Sequence, residues 1–253
     1  MPPFALLFAL ACSQPSVPSA PAPEAPEPAA SDPEALAAAD NDAKMTHPRP
    51  DWEVKQHMDM HFQFATEALF MAFDGNLEGI HSEAKKLAEH EPIEEAPAAW
   101  KPYVDKMHTR AVELQNAPTV EESGKSLALL AGSCADCHLA NKGPDVTLKQ
   151  LAYDETLFGD GVMDRHEWAA YLMWIGLVVP DDDIYAAGTK ALAHRASELP
   201  EVSDGSKKLE MRLHDIGGRA FSAKTAHARR DAFAAFITTC SECHAENNVE
   251  LPK

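Results

Sequence analysis

Between residues 54 and 72 the apolar side chains recur with the period of a helix. Val54, Met58, His61, Ala65, Leu69 and Ala72 fall at three- and four-residue steps, which lays them along one face. The same spacing returns much later in Met163, His166, Ala170, Trp174 and Leu177. Each stripe is followed by a break, "FDGNLEG" in one place and "VVPDDD" in the other, then by a second helical pattern near residues 77–90 and 184–197. A third pattern carries Tyr103, Met107, Ala111 and Leu114 behind "APAAWKP", and its counterpart covers about residues 207–221. A fourth starts near Val120 and again near Thr225. Few stretches show the β-branched alternation of strands. The pattern predicts an all-α chain in which each half is four antiparallel helices around one apolar centre.

The two halves are copies. "MDMH" at residues 58–61 returns as "MDRH" at residues 163–166, an offset of 105. His108 returns as His214 and Cys134 as Cys240, both at an offset of 106, so that 26 residues separate His from Cys in each half. Three landmarks in the same order define a tandem repeat, with units at residues 44–145 and 146–253.

The segment before the repeat is of another kind. Residues 4–11 are a short apolar run, too short to span a bilayer but suited to the core of a secretory signal, and Cys12 follows it. A cysteine after small residues resembles the lipobox of bacterial lipoproteins, which implies lipidation at Cys12 and a segment 1–12 that directs export. The match is partial: Ala9 stands where that family usually has Leu, and no Lys or Arg precedes the apolar run. Residues 13–43 are rich in Pro, Ala and Glu, the composition of an extended tether. The resemblance and the tether imply a folded body in the periplasm of a Gram-negative bacterium, with an N-terminal lipid as the one membrane anchor to be expected.

Charge limits the partners. With 40 Asp and Glu against 22 Lys and Arg, the formal net charge is -18. Such a surface repels nucleic acid and anionic lipid headgroups, and attracts a basic partner protein at low salt.

Four of the five cysteines lie in two Cys-x-x-Cys-His motifs, "CADCH" and "CSECH", one at the far end of each repeat. This is the attachment signature of c-type haem. On a helical turn the two thiols share one side and form thioethers with the haem vinyl groups, while the adjacent His is placed to ligate iron. Cys134, Cys137 and His138 are therefore assigned to one haem, and Cys240, Cys243 and His244 to a second. Zinc would need four ligands where each repeat offers two cysteines, and a thiol-redox site expects a βαβ setting that this helical chain lacks.

The motif sits late in each repeat, and only nine residues follow His244. Four helices with the motif on the last one resemble the cytochrome c-prime family in layout, over about residues 50–140 and 160–250. The resemblance implies that the first helix crosses the distal face of the haem. An apolar residue there leaves five-coordinate iron that binds small gases, whereas Met or His gives a six-coordinate electron carrier. His61 and His166 stand at matched places on this helix and are the expected distal ligands. Met58 and Met163, one turn earlier, compete with them. Met60 is weaker, because Arg165 is its counterpart. His108 and His214 are a second matched pair, open to distal ligation, a propionate hydrogen bond or a helix contact. Leu127, Leu130, Phe233, Phe236 and Ile237 are expected to line the haem pockets, although ordinary helix-packing residues would look the same. Trp100 and Trp174 suit either a porphyrin face or the core. His47, His57, His81, His90, His194 and His227 lack repeat partners and are expected on the surface.

The function these features imply is single-electron transfer by an exported dihaem cytochrome c between redox partner proteins, with no catalysis of its own. The alternative is a five-coordinate protein that binds nitric oxide or carbon monoxide. A dihaem peroxidase fits less well, since those enzymes resemble paired small cytochromes with early motifs. The repeats differ at the residue after the first-helix histidine, Phe62 in one and Glu167 in the other, which predicts unequal pockets.

Overall fold

In the computed structural model the described residues are 51–91, 96–151, 161–193 and 203–247. Among them there are eight α-helices and two short 3-10 turns, and no strand. The helices are α1 (Asp51–Phe73), α2 (Leu77–Glu89), α3 (Lys101–Gln115), α4 (Val120–Asn141), α5 (Val162–Val178), α6 (Asp182–Ala193), α7 (Asp204–Ser222) and α8 (Ala226–Glu246). The 3-10 turns, Ala98–Trp100 and Leu148–Leu151, precede α3 and follow α4. Cys12 lies outside the described residues, as do His47 and His194. Among the described residues no helix is long and apolar enough to cross a membrane.

Helix ends are set by local chemistry. Thr119 and Thr225 cap α4 and α8, each accepting the backbone N–H three residues on, and they stand at the repeat offset of 106. Ser203 caps α7 and Asn76 caps α2 in the same way. The turn after α1 holds Gly75 at φ +72°, a left-handed conformation that glycine adopts without a Cβ penalty.

Each helix packs on its neighbour in sequence, α1 on α2, α2 on α3, α3 on α4, and likewise from α5 to α8. The halves do not stay apart. The last helices α4 and α8 lie against each other, α1 reaches α8 and α5 reaches α4. The α4–α8 approach is close because of glycine: a Cβ on Gly124 would stand 3.3 Å from the Ala234 carbonyl oxygen. One apolar core results, running through both halves. At its centre Trp174 of α5 stacks on Phe233 of α8 at 6.0 Å and donates its indole N–H to Thr66 Oγ1 of α1 at 3.0 Å. Phe236 of α8 meets Phe73 of α1 edge-on at 5.7 Å. Each such fully buried side chain contributes on the order of 1.5–3 kcal/mol. α5 is apolar nearly all round, from Ala169 to Ile175, because other helices enclose it.

Candidate functional site

The end of α4 opens onto a cavity of about 510 Å³, within the range of roughly 300–1,000 Å³ usual for cofactor sites. Its wall includes Cys134, Cys137 and His138 from α4, Met58, His61 and Phe62 from α1, Trp100 and Met107 from the α3 region, and Trp174 and Val178 from α5. Thus the motif residues share one cavity with both first-helix candidates, Met58 and His61. Trp100 and Trp174 both line it, and Trp174 also serves the core. Leu127 and Leu130 do not line this cavity. They are fully buried in the core one and two turns before the motif, as are Phe233, Phe236 and Ile237 before the second motif. The expectation that all five line pockets gives way to helix packing in the first repeat.

His138 is oriented by the other half of the chain. Its Nδ1 lies 2.8 Å from the Val178 carbonyl oxygen at the end of α5. A carbonyl only accepts, so Nδ1 carries the proton and Nε2 presents a lone pair. Burial lowers the His138 pKa, against the carbonyl contact that raises it, which favours the neutral ring. Gly143, whose N–H donates to the His138 carbonyl at 2.9 Å, folds tightly over the ring: a Cβ there would come within 2.5 Å of His138 Cβ and Cγ. Lys142, at φ 56°, makes the left-handed turn that allows this.

All four motif cysteines are half-buried. Desolvation pushes Cys134 up to about 12 and raises Cys137, Cys240 and Cys243 as well. A thiol–disulfide exchange site requires the opposite shift. Asn141 donates to the Cys137 carbonyl at 3.1 Å with Sγ at 3.6 Å, and Asn247 repeats this on Cys243 at 2.7 and 3.5 Å. A further matched pair ties each third helix to its motif: Lys106 to Asp136 at 2.5 Å, and Arg212 to Glu242 at 2.6 Å.

The second motif lies on α8. His244 turns Nδ1 toward Asp74 Oδ1 at 3.5 Å, beside the turn that ends α1. Between α5 and α7, the His166 and His214 rings stand 5.7 Å apart, both buried. His214 donates Nδ1–H to the Leu192 carbonyl at 2.6 Å, and its Nε2 faces the Glu210 carboxylate at 3.6 Å. Burial first, and His214 second, lower the His166 pKa to about 4. Met163 is half exposed, contrary to its expected inward position. The described part of α5 begins at Val162, so Met163 sits in the first turn, whereas Met58 lies well inside α1.

Two histidines expected on the surface are instead part of a cluster. His57, His61 and His90 place their ring nitrogens within 4.8 Å of one another, with His61 Nε2 at 3.0 Å from His90 Nδ1. Desolvation, then the neighbouring imidazoles, lower His57 to about 4 and His61 to about 3, and the same two causes lower His90. Neither residue has a repeat counterpart, so repeat matching excluded them; the i, i+4 spacing of His57 and His61 was the available signal. His108 acts electrostatically on all three, and its Nε2 is buried without a hydrogen-bond partner. His81 binds the Ala117 carbonyl at 2.9 Å, tying α2 to the turn after α3. His227 is exposed beside Asp231, as expected.

Comparison with protein-family models, with curated proteins and with solved structures found no match for this chain.

Proposed function

We propose that the protein is an exported dihaem cytochrome c, built from two cytochrome c-prime-like four-helix units, that passes single electrons between redox partners. The observation that carries this reading is the state of His138: Nδ1–H is committed to the Val178 carbonyl, and the ring lines one cavity with both motif thiols. A ligand imidazole fixed in one tautomer by its second nitrogen is the arrangement a metal-binding His needs. The cavity volume and the Cys, His and aromatic residues of its wall fit a haem. Haem supplies the one-electron chemistry; the chain holds it, sets its ligands and keeps water away.

In this reading Cys134 and Cys137 anchor the first haem and His138 is its proximal ligand; Cys240, Cys243 and His244 do the same for the second. His61 and His166 take the distal positions. Met58 shares the first cavity wall and stays the nearest competitor there, whereas the exposure of Met163 argues against a matched Met pair. The duplication is supported by contacts at equivalent positions: the Thr caps, the Asn–Cys contacts and the third-helix ion pairs all recur. α4 and α8 pack antiparallel, Gly124 against Ile237 and Gly132 against Arg230, so the two motifs lie at opposite ends of this helix pair. The net charge of -18 suits a basic partner.

Denaturing mass spectrometry of the chain produced with c-type haem maturation tests this. Two covalently retained haems are expected, and one after Cys134→Ser with Cys137→Ser. Retention of none would contradict the reading. A second reading, gas binding at five-coordinate iron, draws on one observation: His61 Nε2 is already engaged by His90.

A further inference from the structure

We propose that His57, His61 and His90 form a site for one divalent transition-metal ion of the zinc and copper class, and that His61 is shared between this site and the neighbouring cavity. The metal site stands on its own geometry; its effect on the cavity rests on the haem reading above.

The elements that build the trio are independent. His57 and His61 are one helical turn apart on α1, the i, i+4 spacing that puts two side chains on one face. His90 follows the last turn of α2 in an extended conformation, φ -68° and ψ 120°, and turns its ring back toward α1. The ring centroids are 4.2, 4.5 and 4.9 Å apart. Two nitrogens bound to one zinc at about 2.05 Å in tetrahedral geometry stand roughly 3.3 Å apart. His61 Nε2 and His90 Nδ1, at 3.0 Å, are already near that separation.

The chemistry selects the ion. Three partly buried imidazoles supply neutral nitrogen donors, which suit zinc, copper and nickel, whereas calcium and magnesium take oxygen. Three His with an open fourth position is an established zinc ligand set.

His61 also lines the cavity that holds Cys134, Cys137 and His138. One imidazole nitrogen cannot serve an iron and a second ion together. Occupation of the trio therefore withdraws His61 from the cavity and leaves the sixth position there open. The second repeat is the internal control: the position equivalent to His57, at the offset of 105, is Val162, so the His pair one turn apart is not repeated at His166.

The test is calorimetric titration of the haem-loaded protein with zinc chloride, wild type against His57→Ala/His90→Ala, which spares His61. Circular dichroism on both proteins, and His57→Gln alone as a milder variant, separate loss of the site from loss of the fold. One zinc per chain is expected, weakened at least about 100-fold in the double variant, the upper end of what even outer-shell partners cost. Equal affinity in wild type and a folded variant would overturn the site. With zinc bound, carbon monoxide should convert one haem of the two and leave the other unmoved. Variant-sensitive zinc binding with neither haem altered would overturn the sharing of His61. If no haem is retained but the variant-sensitive zinc site persists, the haem reading fails and this one stands.

Discussion

His244 faces Asp74 at 3.5 Å, whereas the equivalent His138 faces only a backbone carbonyl, that of Val178. Asp74 and Val178 both lie at the end of a first helix, and each serves the motif histidine of the opposite half. His244 Nδ1 makes no hydrogen bond there, but on the haem reading the nearby carboxylate charge makes His244 a stronger donor to iron than His138, and a stronger donor favours the oxidised metal.

The two one-electron steps should therefore differ, with the His244 haem at the lower potential. Asp74→Asn should raise that potential toward the other and leave the His138 haem nearly unchanged. A spectroelectrochemical titration of both proteins reads this directly. Equal movement of both steps, or of neither, would mean that Asp74 does not act through His244.

Gly143 should resist substitution for a reason specific to the site. A Cβ would meet the His138 ring at 2.5 Å, so Gly143→Ala must turn the ring or open the left-handed turn at Lys142. A destabilisation of about 1–3 kcal/mol, typical of overpacking, is expected in urea unfolding. The absorption spectrum of the haem held by His138 should change with it. An unchanged spectrum and unchanged stability would show that the turn yields freely.

The helices were legible because their faces are regular. The stripe from Val54 to Ala72 falls inside α1, and the fourth pattern was placed to within a residue of α4 and α8 by Val120 and Thr225. The two Cys-x-x-Cys-His motifs stand out by spacing alone, and the structure sets Cys134, Cys137 and His138 on the wall of one cavity. What the repeat offset concealed was everything present in one copy: His57 and His90 were assigned to solvent because they had no partner. Asp74 and Val178 were invisible for another reason, since they act across halves and only the packing of α1 on α8 and α5 on α4 brings them to the motifs. Met163 misled because periodicity is silent about where a helix begins.

The histidine cluster also sets a pH response in the haem-free chain. His57 at about 4, His61 at about 3 and His166 at about 4 all lie below the ordinary 6.5, with burial as the main cause. Below pH 6.5 the unfolded chain takes up protons on these rings that the folded chain refuses, so stability falls with falling pH until about 3 to 4. Urea midpoints measured between pH 7 and about 4 should decline, and His166→Leu should flatten the slope. A slope unaltered by that substitution would place the proton uptake elsewhere.

The central claim is two irons held between a motif histidine and a first-helix histidine. Its most direct test is the absorption spectrum of the reduced, haem-loaded protein, freed of other metals by a chelator, before and after carbon monoxide. The account predicts sharp low-spin bands that carbon monoxide leaves unmoved, lost for one haem in His61→Ala and for the other in His166→Ala. A high-spin spectrum that carbon monoxide converts at both haems would contradict it.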